Sequence, residues 1–182
     1  LCCIVLGMGV PTTANYCIMA ATCAPILISP EIGINLVCAH FFVFYFGIVA
    51  DITPPVALAA YAGSAIAKAP PMKTALNATR LAISAFIVPY ILAMNPAMVF
   101  IDTNAIEVAQ VCVTSLLGIF GIAAALNGFL YKKLNPLFRA LMIVGGLCSM
   151  YPGLISDVVG IVLVVGIAVL QKTSAKKEAA AA

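Results

Sequence analysis

Apolar residues run through this chain in long stretches separated by short polar links, and within each stretch they fall on every side. Alternation of apolar and polar positions, the mark of a spanning strand, is missing, so the pattern predicts helices. The first stretch covers residues 1–28 and is interrupted by Gly7-Met8-Gly9-Val10-Pro11-Thr12-Thr13. After a link at 29–35, a second covers 34–67 and is broken by Asp51-Ile52-Thr53-Pro54-Pro55. Unbroken, that second stretch would be a helix of about 50 Å, well beyond a hydrocarbon core of ~30 Å. Two adjacent prolines favour two half-helices over one steeply tilted helix. Residues 76–94 follow, with Pro89 as a point of kinking, then 108–131, then 138–170 cut at Tyr151-Pro152-Gly153. The polar tail from residue 172 is expected to be disordered.

Composition identifies the solvent. Of 182 residues, 64% are hydrophobic and 8% charged, against about 25% charged in a soluble domain. There is too little charge to cover a water-facing surface, and several stretches reach the roughly 20 residues needed to cross a bilayer. The expected fold is an all-α integral membrane bundle. The seven cysteines have neither metal-ligand spacing nor a paired pattern and read as small apolar filler. The formal charge of +3 comes from basic links and implies no nucleic acid. Because the chain starts inside an apolar run without a basic flank, it reads as a fragment whose preceding half is missing.

Lysine and arginine mark the cytoplasmic side of a membrane protein. The links at 68–80 and 132–139 and the tail from Lys172 are basic; those at 29–35 and 95–106 hold neither Lys nor Arg. The first group is expected inside and the second outside. Residues 138–170 must then enter and return, turning at Pro152-Gly153. The first stretch ends outside, so it is either a re-entrant hairpin with its tip near Gly9 or one span with a Gly/Pro kink.

The two interruptions carry the candidate chemistry. Gly7 and Gly9 permit positive φ and close backbone approach, and Pro11 suits the start of a new helix. That sets the N–H groups near Thr12 and Thr13 at a helix N-terminus, which favours anions. The preceding half-helix ends there in free carbonyls, Gly9 among them, which suit a cation. At the second interruption Pro54 and Pro55 lack N–H groups, so the carbonyls of Ala50 and Asp51 lose their helical partners, at a cost of several kcal/mol each in lipid unless satisfied. With Thr53 placed to cap the second half-helix, these oxygens and the Asp51 carboxylate form a patch suited to sodium. A proline kink resolved by neighbouring helices is the structural alternative, made harder to accept by an acid at that depth.

Other polar residues read as structural. His40 is expected to be a packing or interfacial residue and Asp157 a helix cap. Thr114, Gly118, Gly121, Ala125 and Gly128 form a stripe of small residues that lets helices approach closely. Asn77-Ala78-Thr79 matches a glycosylation pattern but lies in a link expected inside, so it is set aside.

The strings GMGVPTTANYCIMAATCAPILI and HFFVFYFGIVADITPPVALAAYAGSAIA resemble the second half of the large membrane subunit of TRAP transporters. Fused permeases that work with TAXI-type binding proteins are the nearer likeness. The resemblance is strongest over residues 1–95; YKKLNPLFRALMIVGGLCSMYPGLISDVVGIVL is similar to the C-terminal extension of those permeases. Where the family commonly has Gly three positions before Thr-Pro-Pro, this chain has Ala50. The resemblance implies the second inverted repeat of an elevator-type carrier, with a re-entrant hairpin at 1–28, a broken helix at 34–67 and a helix at 76–94. A transmembrane extension at 96–171 follows. It also implies sodium-coupled uptake of small organic acids (carboxylates) from a periplasmic TAXI-type binding protein, across a bacterial or archaeal inner membrane. No other cofactor and no enzyme activity are implied. Carried over residue by residue, the family's ion sites fall on Gly7, Gly9, Pro11, Thr12 and Thr13, and on Asp51, Thr53, Pro54 and Pro55.

Three other readings compete. A sodium/dicarboxylate symporter of similar architecture would need no binding protein. An intramembrane aspartyl protease would use Asp51 and Asp157, but neither follows the Gly-x-Gly that such enzymes place before one aspartate. A non-transporting assembly subunit would leave both interruptions without a role.

Overall fold

The computed structural model describes residues 2–181, and side chains through residue 176. Among the described residues the regular structure is helical, with one isolated bridge between Phe129 and Lys133. The chain divides into two compact units, Leu1–Val99 and Phe100–Ala182.

In the first unit, α1 (Cys2–Gly7) turns back into α2 (Thr12–Thr22), which passes almost directly into α3 (Ala24–Ile28). The joint at Cys23 has a local cause: Pro25 has no N–H to offer the Ala21 carbonyl, so the ladder restarts there. A turn closed by Gly33, at φ +69°, leads to Asn35. The Asn35 side chain accepts from the Val37 N–H at 2.9 Å and caps α4 (Leu36–Val49). α4 tightens into a 3-10 turn at Ala50–Ile52, and regular helix resumes only at α5 (Leu58–Ile66). The second stretch is therefore broken, as its prolines require.

α6 (Pro71–Leu81) and α7 (Ile83–Met94) follow. Their interruption falls at Ala82, where ψ is 18°, while α7 runs through Pro89. Helix therefore begins within the basic link, with Pro71 at its first position, where a missing N–H costs nothing. Met19, Val43, Phe46 and Val49 are buried at the centre of this unit. Phe42 and Phe46 meet Tyr90 of α7 edge-on, with centroids 5.2 and 5.6 Å apart, a favourable aromatic geometry.

The second unit is a three-helix arrangement of α8 (Ala105–Asn127), α9 (Pro136–Cys148) and α10 (Leu154–Ala181). α8 stops at Gly128, at φ +69°, a conformation glycine adopts without a Cβ penalty. The small-residue stripe faces its neighbours: a Cβ at Gly118 would lie 2.7 Å from the Gly146 carbonyl, and one at Gly121 2.8 Å from Val164. Gly128 leaves that stripe and terminates the helix instead. α9, with 13 residues, is about 20 Å long, too short to cross a ~30 Å core upright.

Two expectations are corrected in this unit. The tail is helical as far as Ala181, continuing α10, while Ala182 lies outside the described residues. Ala, Lys and Glu are strong helix formers, and a helix already nucleated extends at little cost. Asp157 does not cap α10. It lies inside the first turn, and its Oδ2 accepts from Gln110 Nε2 of α8 at 3.0 Å.

Among the described residues, three segments are long and apolar enough to cross a membrane: Pro71–Met94, Ala105–Asn127 and Leu154–Lys176. Large apolar side chains such as Leu116, Val162 and Val169 stand exposed along them, as expected where lipid is the neighbour.

Candidate functional site

The first unit brings its two interruptions together. Gly7 ends α1 against the last turns of α4: a Cβ there would lie 2.6 Å from Asn15 Nδ2, 3.0 Å from the Ala50 Cβ and 3.2 Å from the Gly47 carbonyl oxygen. Gly9, at φ +74°, turns the hairpin, and the nearest atom to its Cβ position is Val56 Cγ1 at 4.0 Å. At Gly7 the missing side chain allows this close approach, whereas at Gly9 the space is open and the positive φ is what favours glycine. The kinked single span is thereby excluded: α1 and α2 form a hairpin folded against α4.

Pro11 immediately precedes α2, with φ −54° and ψ 141°, and no side chain caps the helix. Thr12 and Thr13 form the exposed first turn. Their hydroxyls make no hydrogen bond among the described residues, so the first-turn N–H groups and the dipole are open to an anionic group.

At the second interruption the arrangement differs in part from the bond-by-bond expectation. The Ala50 carbonyl, deprived of a helical partner by Pro54, accepts the Thr53 N–H at 3.2 Å within the 3-10 turn. Thr53 does not cap the second half-helix. Its hydroxyl donates back to the Val49 carbonyl at 2.6 Å, while α5 begins after Ala57, a residue in left-handed conformation. Tightening to 3-10 geometry lets a donor three residues on replace the one that proline removed.

The bond between Pro54 and Pro55 is cis, and the Pro55 carbonyl accepts the Tyr61 hydroxyl at 2.6 Å. Thr79 donates to the Ile52 carbonyl at 2.9 Å, tying α6 to the break. No hydrogen bond or ion pair engages the half-buried Asp51 side chain among the described residues, so an acid stands beside an interrupted helix without a protein partner. That combination suits a small cation, whose charge would offset the acid.

Asn15 was not among the residues singled out from sequence. It is buried, its Nδ2 donates to the Gly47 carbonyl at 3.2 Å, and its Oδ1 has no hydrogen-bond partner among the described residues. Gly47 is held equally close, since a Cβ there would lie 2.7 Å from Met19 Cε. The available signal was a lone amide in an apolar helix just after the hairpin tip; a polar group in such a place needs a partner. Tyr61 and Thr79, whose hydroxyls hold the break, carried no comparable signal. His40 is half-buried and makes a 3.0 Å hydrogen bond through Nδ1 with the Tyr16 hydroxyl, joining α2 to α4.

A family model described as "Tripartite ATP-independent periplasmic transporter, DctM component" matches residues 1–105, a span that includes both interruptions. No curated protein and no solved structure matches the chain.

Proposed function

The chain belongs to the DctM component family of the tripartite ATP-independent periplasmic transporters, and from that premise we propose that it is part of a permease coupling sodium entry to carboxylate uptake. The substrate would be a small organic acid delivered by a periplasmic binding protein of the TAXI type, and the membrane a bacterial or archaeal inner membrane. The family is a transporter component rather than an enzyme, which leaves Asp51 a binding role. The observation carrying the proposal is the packing of a glycine hairpin tip on a proline-broken helix that bears an acid. Helix ends offer carbonyls to a cation and N–H groups to a carboxylate, and carriers place such paired breaks at the membrane midplane. On this reading Gly9, Ala50, Asp51 and Thr53 contribute oxygens to sodium, and the α2 terminus at Thr12 and Thr13 faces the anionic side of the transport cycle.

Replacing both Pro54 and Pro55 by Ala in the full transporter tests this reading. The change restores N–H donors toward the Ala50 and Asp51 carbonyls and favours helix by about 3 kcal/mol per residue. The segment should close into continuous helix. In proteoliposomes supplied with the binding protein, sodium-driven uptake should fall to near background while membrane insertion persists. Wild-type uptake with unchanged sodium dependence would remove this break from the coupling mechanism. Uptake that needs no binding protein would instead favour a stand-alone symporter.

A further inference from the structure

We propose that the side-chain oxygen of Asn15 is a direct ligand of the cation that the permease couples to transport. The inference rests on the coupling reading above and adds to it a side chain from α2. Asn15 is 1% exposed, and its Oδ1 is buried with no hydrogen-bond partner among the described residues. An amide oxygen shut away from water is costly unless a donor or a cation meets it. Two other buried side-chain oxygens share this state among the described residues, on Ser115 and Gln171. Both belong to the second unit, so Asn15 alone of the three stands beside the two interruptions.

The orientation of the amide is fixed by its neighbour. Nδ2 donates to the Gly47 carbonyl at 3.2 Å, and a carbonyl accepts but never donates. Turning the amide over would set two acceptor oxygens face to face and leave the NH2 group without its acceptor. The unpartnered atom is therefore the oxygen.

Its surroundings are the seam between the hairpin and the break. Nδ2 lies 2.6 Å from where a Gly7 Cβ would be, and that position is 3.0 Å from the Ala50 Cβ. A Cβ at Gly47 would lie 3.0 Å from the same nitrogen. Oδ1 is bonded to the same carbon, about 2.2 Å from Nδ2 by amide covalent geometry, so it stays within this seam. Other oxygens nearby have capacity to spare. The Gly7 carbonyl takes the Val10 N–H only at 3.5 Å and the Val5 carbonyl takes the Met8 N–H at 3.4 Å, both beyond the usual hydrogen-bond range. The Asp51 carbonyl, whose helical donor Pro55 removes, accepts no backbone bond among the described residues. Neutral oxygens from broken helix ends, with one acid close by in sequence, suit a monovalent cation. A divalent ion draws on more carboxylates than this seam offers.

The probe is sodium chloride, replacing choline chloride at constant ionic strength and pH 8, with the full transporter in neutral detergent. The readout is the rise in unfolding midpoint and the sodium concentration that gives half of it. Asn15→Ala should raise the half-saturating concentration at least roughly tenfold, the worth of a polar interaction with a charged group. Asn15→Asp separates the two halves of the amide, since it loses the donor to Gly47 but keeps an oxygen. Its half-saturation should lie no more than about threefold from wild type. Met19→Ala opens the packing against Gly47 and leaves the oxygen in place, so it should lower the sodium-free midpoint without moving half-saturation. Equal weakening in the Ala and Asp variants would show that Asn15 acts only as a donor to Gly47, and would overturn the proposal. So would an unchanged half-saturation in Asn15→Ala, which would assign the oxygen to a buried water, or an equal weakening in Met19→Ala. Should Asn15→Ala fail to fold, Asn15→Asp decides alone: half-saturation near wild type supports the proposal, and a loss of about tenfold or more overturns it. A wild-type protein with no sodium response would remove the coupling reading as well, whereas a responsive wild type with indifferent variants removes only the role of Asn15.

Discussion

Asn15 shows how much one side chain can organise when both neighbouring positions are glycine. Its amide fills the space between Gly7 and Gly47 and joins the hairpin to α4 through the 3.2 Å bond to the Gly47 carbonyl. Gly7→Ala should lower stability by about 1–3 kcal/mol, the usual cost of overpacking a filled site, seen as a lower unfolding midpoint in detergent. Because the nearest atom to the new Cβ is Asn15 Nδ2, Asn15→Ala in the same chain should offset part of that loss. A double-mutant cycle measures the coupling; strictly additive effects would show that the two residues do not share this space. Sequence alone marked the need for close approach at Gly7, because glycine's missing side chain is a local property. It did not identify the atom on the other side, which comes from another helix.

The helices of the second unit are held by the same principle applied along their length. Lipid provides no hydrophobic drive between apolar helices, so association rests on packing, and small residues permit more of it. A Cβ at Gly146 would lie 2.7 Å from the Gly118 carbonyl and 2.7 Å from Ile122 Cγ1. Gly146→Ala should therefore push α9 from α8 and cost about 1–3 kcal/mol. Gly166→Ala provides the control: no atom lies within 4 Å of its Cβ position, and alanine favours helix by up to about 1 kcal/mol over glycine. The midpoint should drop for the first variant and hold or rise for the second. Equal effects would mean that helix propensity, not the α8–α9 contact, governs this unit. The stripe on α8 was readable from its spacing, but its partner glycines on α9 were not, since no period within one helix encodes what another presents.

Orientation in the membrane belongs to the whole molecule. The basic links are expected inside and the links without Lys or Arg outside, because positive charge resists transfer across the bilayer. In a chain with its native cysteines replaced, Thr103→Cys should react with an impermeant thiol reagent added outside intact cells, and Asn135→Cys should not. The reverse labelling would invert the orientation and, with it, the side from which the hairpin enters.

Composition and run length determined from sequence alone that this is a helical membrane protein. Lipid demands internally satisfied backbone, and that demand is visible residue by residue. The positions of both breaks were equally legible, since a proline's missing N–H and a glycine's missing Cβ act on the backbone where they stand. The folded structure decided what the carbonyls around the breaks meet: locally, Thr53 turning back to Val49 and Ala50 and Tyr61 to Pro55, and across helices, Thr79 reaching Ile52 and Asn15 reaching Gly47. It also decided between hairpin and kink, by placing Gly7 against Ala50. The reason is that a hydrogen bond needs two partners at about 3 Å. A sequence names the groups that lose a partner, but which distant residue arrives in its place depends on how the helices pack.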